Sequence, residues 1–455
     1  MTTVSQNIER GAILAQRQEE SRGQQAKHSL LEAVMGPDAD DLPMAVRGEG
    51  VYIFDEDGKR YLDAAAGCFV SMVGHGVPEI VNAIAQQLES LSYMHWSQMS
   101  NKPAIELADL ILGLNPGHTH AHFVSSGSEA VEASILAANL YHRACGRPER
   151  HKVLSREGSY HGATIGAMNA TGVSGLRWPA YEQTSFRRIA RNTCGMCPFN
   201  LEQSSCGMMC ASDLERMILA EGPRTVSAFI ADPSSSWGWP PADYWTKIRE
   251  ICDRYDIVFI ADEVKSGFGK TGRPFALQHY DVRPDITVFG KSAAGGYAAL
   301  AGITVAERIG RCFVDISNGF PSGHTFANHP VSCAAALATQ RYVLDRKLMD
   351  RVPQIESMVA GVIRPLMDEF PIAWDFHSMG LLSSLWVKQP PTAVDASPLQ
   401  RNRKLRQSLA KNGVVTWVSS GPGYSRIQFC PPFIFDEEHV RQLGRAVRST
   451  LEDIG

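Results

Sequence analysis

Apolar and polar positions change their period several times along the chain, and each change predicts an element. Residues 51–62 read Val-Tyr-Ile-Phe, then Asp-Glu-Asp-Gly, then Lys-Arg-Tyr-Leu, which is two short strands around a turn supplied by Asp57 and Gly58. Ile80, Ile84 and Leu88 recur at helical intervals within residues 78–91, as do Leu107, Leu110 and Ile111 within 105–114, predicting two amphipathic helices. Apolar runs of strand length at 226–231, 257–261, 286–289 and 301–305 alternate with helical stretches such as 244–254. That alternation predicts an α/β fold with a largely parallel sheet covered by helices. After a helix over 330–344 the elements shorten to strands around 380–387 and 425–429 and a closing helix over 437–451, the pattern of a separate C-terminal domain. The expected division is an N-terminal arm over 1–41, where apolar residues are sparse, the N-terminal part of a small domain over 42–95, a large domain over 96–335, and the rest of the small domain over 336–455.

A chain of 455 residues can bury more than one core. Its formal charge of −4, without a dense Lys/Arg run, argues against a nucleic-acid partner. The polar N-terminus lacks the apolar stretch of a secretory signal, and no segment stays apolar for the ~18 residues of a membrane helix. A cytoplasmic protein with no membrane association is expected. Ten cysteines are then mostly reduced thiols.

Three segments carry candidate chemistry. From Phe123 an apolar run passes through Ser126, Gly127 and Ser128 into a strong helix-forming stretch, putting two hydroxyls and a glycine at a helix N-terminus, where unpaired N–H groups and the helix dipole favour a phosphate. Taken alone, the plainer reading is a serine N-cap with Glu132 nearby. The buried run Ile257-Val-Phe-Ile-Ala261 delivers Asp262 and Glu263 just past its end, where open parallel sheets form ligand crevices. A carboxylate there suits a pyridinium nitrogen, which it keeps protonated. A helix cap or an ion pair is the alternative. Third, Ile286-Thr-Val-Phe289 ends in Gly290-Lys291-Ser-Ala-Ala-Gly295-Gly296, leaving room beside Lys291 for a bulky planar group. A partly desolvated amine near other cations becomes able to form a Schiff base, whereas a surface lysine is the ordinary reading of this segment alone. Gly267-Phe-Gly269-Lys-Thr-Gly272 matches a dinucleotide fingerprint literally. It is rejected, because Pro274 falls where the helix should run and Asp285, nearest the expected acidic position, precedes the next strand.

Taken in order, these segments resemble the class III pyridoxal-phosphate aminotransferases, a fold-type I family that includes the omega-amino acid and amine transaminases. The likeness runs from about Gly48 to the C-terminus. It rests on the Asp-Gly-Lys-Arg-Tyr-Leu-Asp run ending at Asp63, Gly74-His75, Ser126-Gly127-Ser128-Glu129-Ala130, Tyr160-His161-Gly162, Asp262-Glu263-Val264, Lys291 and His324-Thr325-Phe326. The resemblance implies a large domain with a mostly parallel central sheet, a smaller α+β domain from the N- and C-terminal segments, and pyridoxal 5'-phosphate as cofactor. It further implies a homodimer or dimer of dimers with active sites at the subunit interface. Lys291 would hold the cofactor and shuttle the proton, and Asp262 would pair with the pyridine nitrogen. Val264 and Tyr160 would pack on the two ring faces. Gly127 and Ser128 would bind the phosphate together with Thr325 of the neighbouring subunit, with Ser126, His161 and Lys265 among the cofactor contacts. The reaction implied is transfer of an amino group from a primary amine or an omega-amino or amino acid to pyruvate or 2-oxoglutarate by a ping-pong cycle. Racemases and lyases on the same scaffold share Lys291 and Asp262. A non-catalytic binding protein is the remote alternative, against which both residues argue.

Three positions depart from the family pattern. Asp232-Pro233 stands where Glu-Pro is usual, and Lys265 where many members have a glutamine facing the cofactor's phenolic oxygen; a lysine there either stabilises the phenolate or points to solvent. Gln428 occupies the place of a carboxylate-binding arginine, and Arg426 lies two residues earlier on the same strand face, able to substitute for it or to be a plain surface residue. Tyr93, Trp96, Trp237 and Trp239 are candidates for an apolar substrate entrance, or for core packing. Cys194, Cys197, Cys206 and Cys210 fall within seventeen residues. Four thiolates this close form the donor set of a structural zinc, but their spacings match no standard finger. No metal is expected, with zinc the alternative.

Overall fold

The computed structural model describes residues 42–194, 197–234, 238–315, 319–321, 323–389, 397–421 and 423–454. The expected arm over 1–41 and Trp237 lie outside the described residues. The described residues fall into two compact units, 42–47 with 53–61, and 48–52 with those from 62 onward.

Strands β1 (Ala45–Glu49), β2 (Tyr52–Asp55) and β3 (Arg60–Asp63) come first. In the smaller unit the chain turns where the acidic and glycine residues demand it. Gly58, at φ +79°, donates its N–H to the Asp55 carbonyl at 3.0 Å, a backbone conformation that favours glycine. The Asp55 carboxylate accepts from the Tyr61 hydroxyl at 2.8 Å and the Lys59 N–H at 2.8 Å.

In the larger unit, β4 (His118–Val124), β5 (Lys152–Arg156), β6 (Phe186–Ile189), β7 (Val226–Ala231), β8 (Val258–Asp262), β9 (Ile286–Phe289) and β10 (Ala301–Ala306) form one seven-stranded sheet ordered β4-β10-β9-β8-β7-β5-β6. Strands β6, β5, β7, β8 and β9 run parallel, while β10 is antiparallel to both its neighbours. Every residue of β7, β8 and β9 is buried, because helices cover both faces, and this is why these strands read as unbroken apolar runs. One face packs Ile230, Ile260 and Val288 with Val131 and Ala138 of the helix Gly127–Ala144. The other packs Phe229 and Phe259 with Trp245 and Ile248 of the helix Tyr244–Arg254. Gly302 of β10 admits no side chain, since a Cβ there would clash with the His122 carbonyl oxygen.

The C-terminal part contains β11 (Ala373–Met379), β12 (Leu382–Lys388), β13 (Val414–Val415), β14 (Trp417–Gly421) and β15 (Tyr424–Phe429). Strands β11, β12, β15 and β14 make an antiparallel sheet in that order, and β13 pairs in parallel with Leu62 and Asp63. A core joining Val51, Leu62, Val73 and Ile80 to Ile355, Leu385, Phe429 and Leu443 ties the N-terminal segments to this region. The expected helices appear as Pro78–Ser90 and Lys102–Leu114. Leu88, placed by spacing on the apolar face, is exposed in the single chain. The glycine-rich run at 267–272 forms turns and starts no helix, as Pro274 led us to expect. Among the described residues no helix is long and apolar enough to cross a membrane.

Candidate active site

Asp262 ends β8 and Lys291 follows β9 by two residues, so adjacent parallel strands bring both to the carboxyl edge of the sheet. Asp262 is almost wholly buried, and both of its oxygens are engaged. Oδ1 accepts from the Val264 N–H at 3.1 Å, and Oδ2 lies 2.7 Å from His161 Nδ1. A carboxylate only accepts, so His161 carries its proton on Nδ1. That leaves His161 Nε2, which is buried and has no hydrogen-bond partner among the described residues.

Lys291 adopts a left-handed backbone conformation at φ +46°, a strain of the kind that concentrates at functional sites. Its Nζ lies 5.2 Å from the centre of the Phe69 ring. Phe69, itself at φ +62°, is held by the Ser292 hydroxyl, which donates to its carbonyl at 3.2 Å. The preceding turn is fixed by Asp63, whose carboxylate accepts from the Gly67 N–H at 2.7 and 2.9 Å. Phe69 was not among the candidates from sequence; it lies in an Ala-Gly-Cys-Phe run that nothing distinguishes from core.

The helix Gly127–Ala144 begins with a complete capping box. Ser126 Oγ accepts from the Glu129 N–H at 3.3 Å, and the Glu129 carboxylate accepts from the N–H groups of Ser125 and Ser126 at 2.8 and 3.2 Å. The glutamate of the cap is therefore Glu129 and not Glu132. Glu132 instead braces the 160s loop, accepting from the Thr164 hydroxyl at 2.7 Å and the Gly166 N–H at 2.8 Å. Ser128 Oγ accepts from the Ala163 N–H at 3.0 Å, bringing the helix start and the Tyr160-His161-Gly162 loop together. Tyr160 is half exposed; desolvation, then Cys68 and Asp262, raise its hydroxyl pKa. Val264 fills the space between two glycines: a Cβ on Gly127 would stand 3.2 Å from it, and one on Gly290 3.5 Å.

Lys265 does not point to solvent. Its ammonium sits 5.5 Å from the Phe69 ring centre and 3.5 Å from Ser234 Oγ, and desolvation lowers its pKa to about 8, with Asp232 opposing and Arg426 and Lys291 reinforcing. Asp232 has a different partner, the wholly buried Arg156, at 3.0 Å. Arg426 is no surface residue either. It lies 5.2 Å over the Trp386 ring and donates to Ser419 Oγ at 3.0 and 3.3 Å, and desolvation lowers its pKa to about 10. Gln428 donates to the same hydroxyl at 3.2 Å, so the two side chains do share a strand face. Lys265, Arg426, Gln428, Trp239, Trp386 and Phe69 line one cavity of about 30 Å³.

The remaining candidates occupy other neighbourhoods. Tyr93 donates its hydroxyl to the Thr325 carbonyl at 2.9 Å, and both residues are exposed. Trp96 lines a separate cavity of about 470 Å³ with His120, His122 and Phe320. Cys194, Cys197, Cys206 and Cys210 line one small cavity of about 20 Å³. They are free thiols, and no group of three or more metal-ligating side chains among the described residues is arranged to hold an ion.

The donor set fits a phosphorylated planar aldehyde with a basic ring nitrogen. A helix N-terminus with Gly127 and Ser128 suits the phosphate, the buried Asp262 suits the ring nitrogen, and a strained lysine stands at the neighbouring strand end. Among the described residues His161 Nε2 is left without a partner, a buried polar atom of the kind a bound ligand satisfies.

The Aminotransferase class-III family profile matches residues 35–451. The chain is 33% identical over 422 residues to a probable aminotransferase of Mycobacterium tuberculosis, covering 91% of this chain and 90% of that one. It is 31% identical over 452 residues to a chloroplastic gamma aminobutyrate transaminase of Solanum lycopersicum, covering 94% and 85%. Among solved structures, an amine transaminase from an uncultivated Pseudomonas species in its pyridoxal-phosphate-bound form superposes with a TM-score of 0.85 at 26% identity, covering 93% of this chain and 97% of that one.

Proposed function

The chain belongs to the class III aminotransferases, enzymes that move an amino group between amine donors and keto acids, and from that premise we propose that Lys291 and Asp262 are its catalytic pair toward pyridoxal 5'-phosphate. The observation that carries this reading is their position at the ends of adjacent strands β8 and β9, beside the start of the helix Gly127–Ala144.

Bound there, pyridoxal phosphate supplies an electron-accepting ring that stabilises negative charge at the carbon bearing the amine. The chain's own residues do the rest. Gly127 and Ser128 offer N–H and hydroxyl groups to the phosphate, joined by Thr325 of the partner subunit in a homodimer or dimer of dimers. Asp262 presents a fixed anion that keeps a facing ring nitrogen protonated, and His161 Nδ1–H holds that anion in place. Val264 and Tyr160 give the ring an aliphatic and an aromatic wall. The Lys291 amine would be the base that takes the proton from the substrate carbon and holds it for return as an acid. Pyruvate or 2-oxoglutarate completes the cycle as acceptor, in the cytoplasm. A large part over 96–335 and a small part made of 42–95 and 336–455 are supported by the core that joins the N-terminal segments to the C-terminal sheet.

The test is the visible absorption of the protein with added pyridoxal phosphate. A band absent from Lys291→Ala, bleached by an amine donor and restored by a keto acid, is expected. A band that responds to an amino compound without needing a keto acid would move the assignment to a racemase or lyase, and no band at all would overturn it.

A further inference from the structure

We infer that Lys265 and Arg426 together form a two-cation seat for a carboxylate carried by the substrate, so that amino acids and omega-amino acids, rather than simple amines, are the preferred donors. This deepens the transamination reading and rests on it.

Both cations line the same cavity, with Phe69, Trp239, Trp386 and Gln428 around them. Among the described residues neither makes an ion pair. Arg426 has the Ser419 hydroxyl and the face of Trp386, and Lys265 has only the distant Ser234 hydroxyl at 3.5 Å. Two desolvated cations without a bonded anion are costly unless a ligand completes them. Asp232, the carboxylate whose charge acts on Lys265, is already committed to Arg156. The cavity's about 30 Å³ holds roughly two water-sized groups at ~10–15 Å³ each, the bulk of a carboxylate and not of an extended chain. Phe69 connects the seat to the reaction centre, because its ring is 5.5 Å from the Lys265 ammonium and 5.2 Å from that of Lys291. A substrate amine at Lys291 can thus carry its carboxylate past Phe69 to the seat.

Protonation supports this geometry. Lys265, with a pKa of about 8, is mostly charged at neutral pH and loses its charge above that value. The charged and titratable groups around it are Asp232, Arg426, Lys291, Cys430 and Lys270, with His377, paired to Asp375, on the wall of the same cavity, and Arg426 stays protonated well past pH 8 with a pKa of about 10. The seat therefore weakens in a step near pH 8 while keeping one cation.

Two readouts test it. The first is the ratio of half-reaction kcat/KM for 5-aminopentanoate against pentylamine, which differ only in the carboxylate. Wild type is expected to prefer the acid, Lys265→Gln and Arg426→Gln each to reduce that preference about tenfold mainly through KM, and Lys265→Arg to retain it. The second is titration of the apoprotein with glutarate, followed by tryptophan fluorescence, since Trp239 and Trp386 line the cavity. Binding is expected to weaken about tenfold in Lys265→Gln and, in wild type but not Lys265→Arg, to weaken as pH rises through about 8. Equal losses for both donors, or glutarate binding indifferent to Lys265→Gln, overturn the seat. If wild type turns over neither donor, the transamination reading fails instead, and the glutarate titration still decides the seat.

Discussion

His161 Nδ1 and Asp262 Oδ2 stand 2.7 Å apart with both side chains shut off from solvent, so the carboxylate at the end of β8 is oriented by a proton it does not own. His161 is accordingly a positioning residue. His161→Ala should lower kcat/KM about 10- to 100-fold, and Asp262→Asn should lower it further, because the amide no longer offers an anion to the ring nitrogen. His161→Asn, whose side chain can still donate, should recover part of the loss. The pH dependence of the cofactor absorption band separates positioning from mere support: it moves in His161→Ala if the reading holds, and stays in place if the variant is only less stable.

Arg156 depends on Asp232 in the same way for stability. Its side chain is fully buried, and it donates to both the backbone carbonyl and the carboxylate of Asp232, at 2.7 and 3.0 Å, while Trp245 lies 5.3 Å from the guanidinium. Asp232→Asn leaves a buried cation uncompensated and should cost about 3–5 kcal/mol in denaturant unfolding. Replacing both partners, Arg156→Met with Asp232→Leu, should cost less than the single change. A double variant as unstable as the sum of two damaging singles would contradict this account.

Acid sensitivity should centre on Asp285. Burial raises its carboxyl pKa, but Arg249 and Arg308 outweigh burial and hold it below the usual range. Arg249 approaches Oδ2 at 2.9 Å, as does Arg308, and the Phe259 N–H donates to the same oxygen at 2.8 Å. Because the folded pKa is depressed, this stabilisation is complete above the unfolded value of ~3.9 and is lost as pH falls through the lower folded value. Asp285→Asn should therefore cost about 3 kcal/mol at neutral pH, with the gap to wild type closing below about pH 4. A gap independent of pH would show that the aspartate is structural without being charge-linked.

Much of the architecture was legible because it is local. The unbroken apolar runs of β7, β8 and β9 announce strands buried on both faces, and Asp262 and Lys291 are visible because each stands within two residues of the end of such a run. Strand direction was not legible. Antiparallel β10 reads like its parallel neighbours, since burial on both faces gives the same continuous apolar pattern whichever way the chain runs. The cap illustrates a finer miss: Ser126 was visible, but its reciprocal glutamate is Glu129, at the third helical residue, where a capping box requires it.

By itself, then, the sequence determined the elements, the α/β arrangement and the strand ends at which Asp262 and Lys291 stand, because periodicity and turn residues act over a few neighbours along the chain. Only the tertiary structure decided that Asp232 belongs to Arg156, that Lys265 turns into a cavity and not to solvent, and that Arg426 meets it there from β15. These pairings join residues 76 to 161 positions apart. They depend on strand order and on what each side chain meets across a packed interface, which no local pattern encodes.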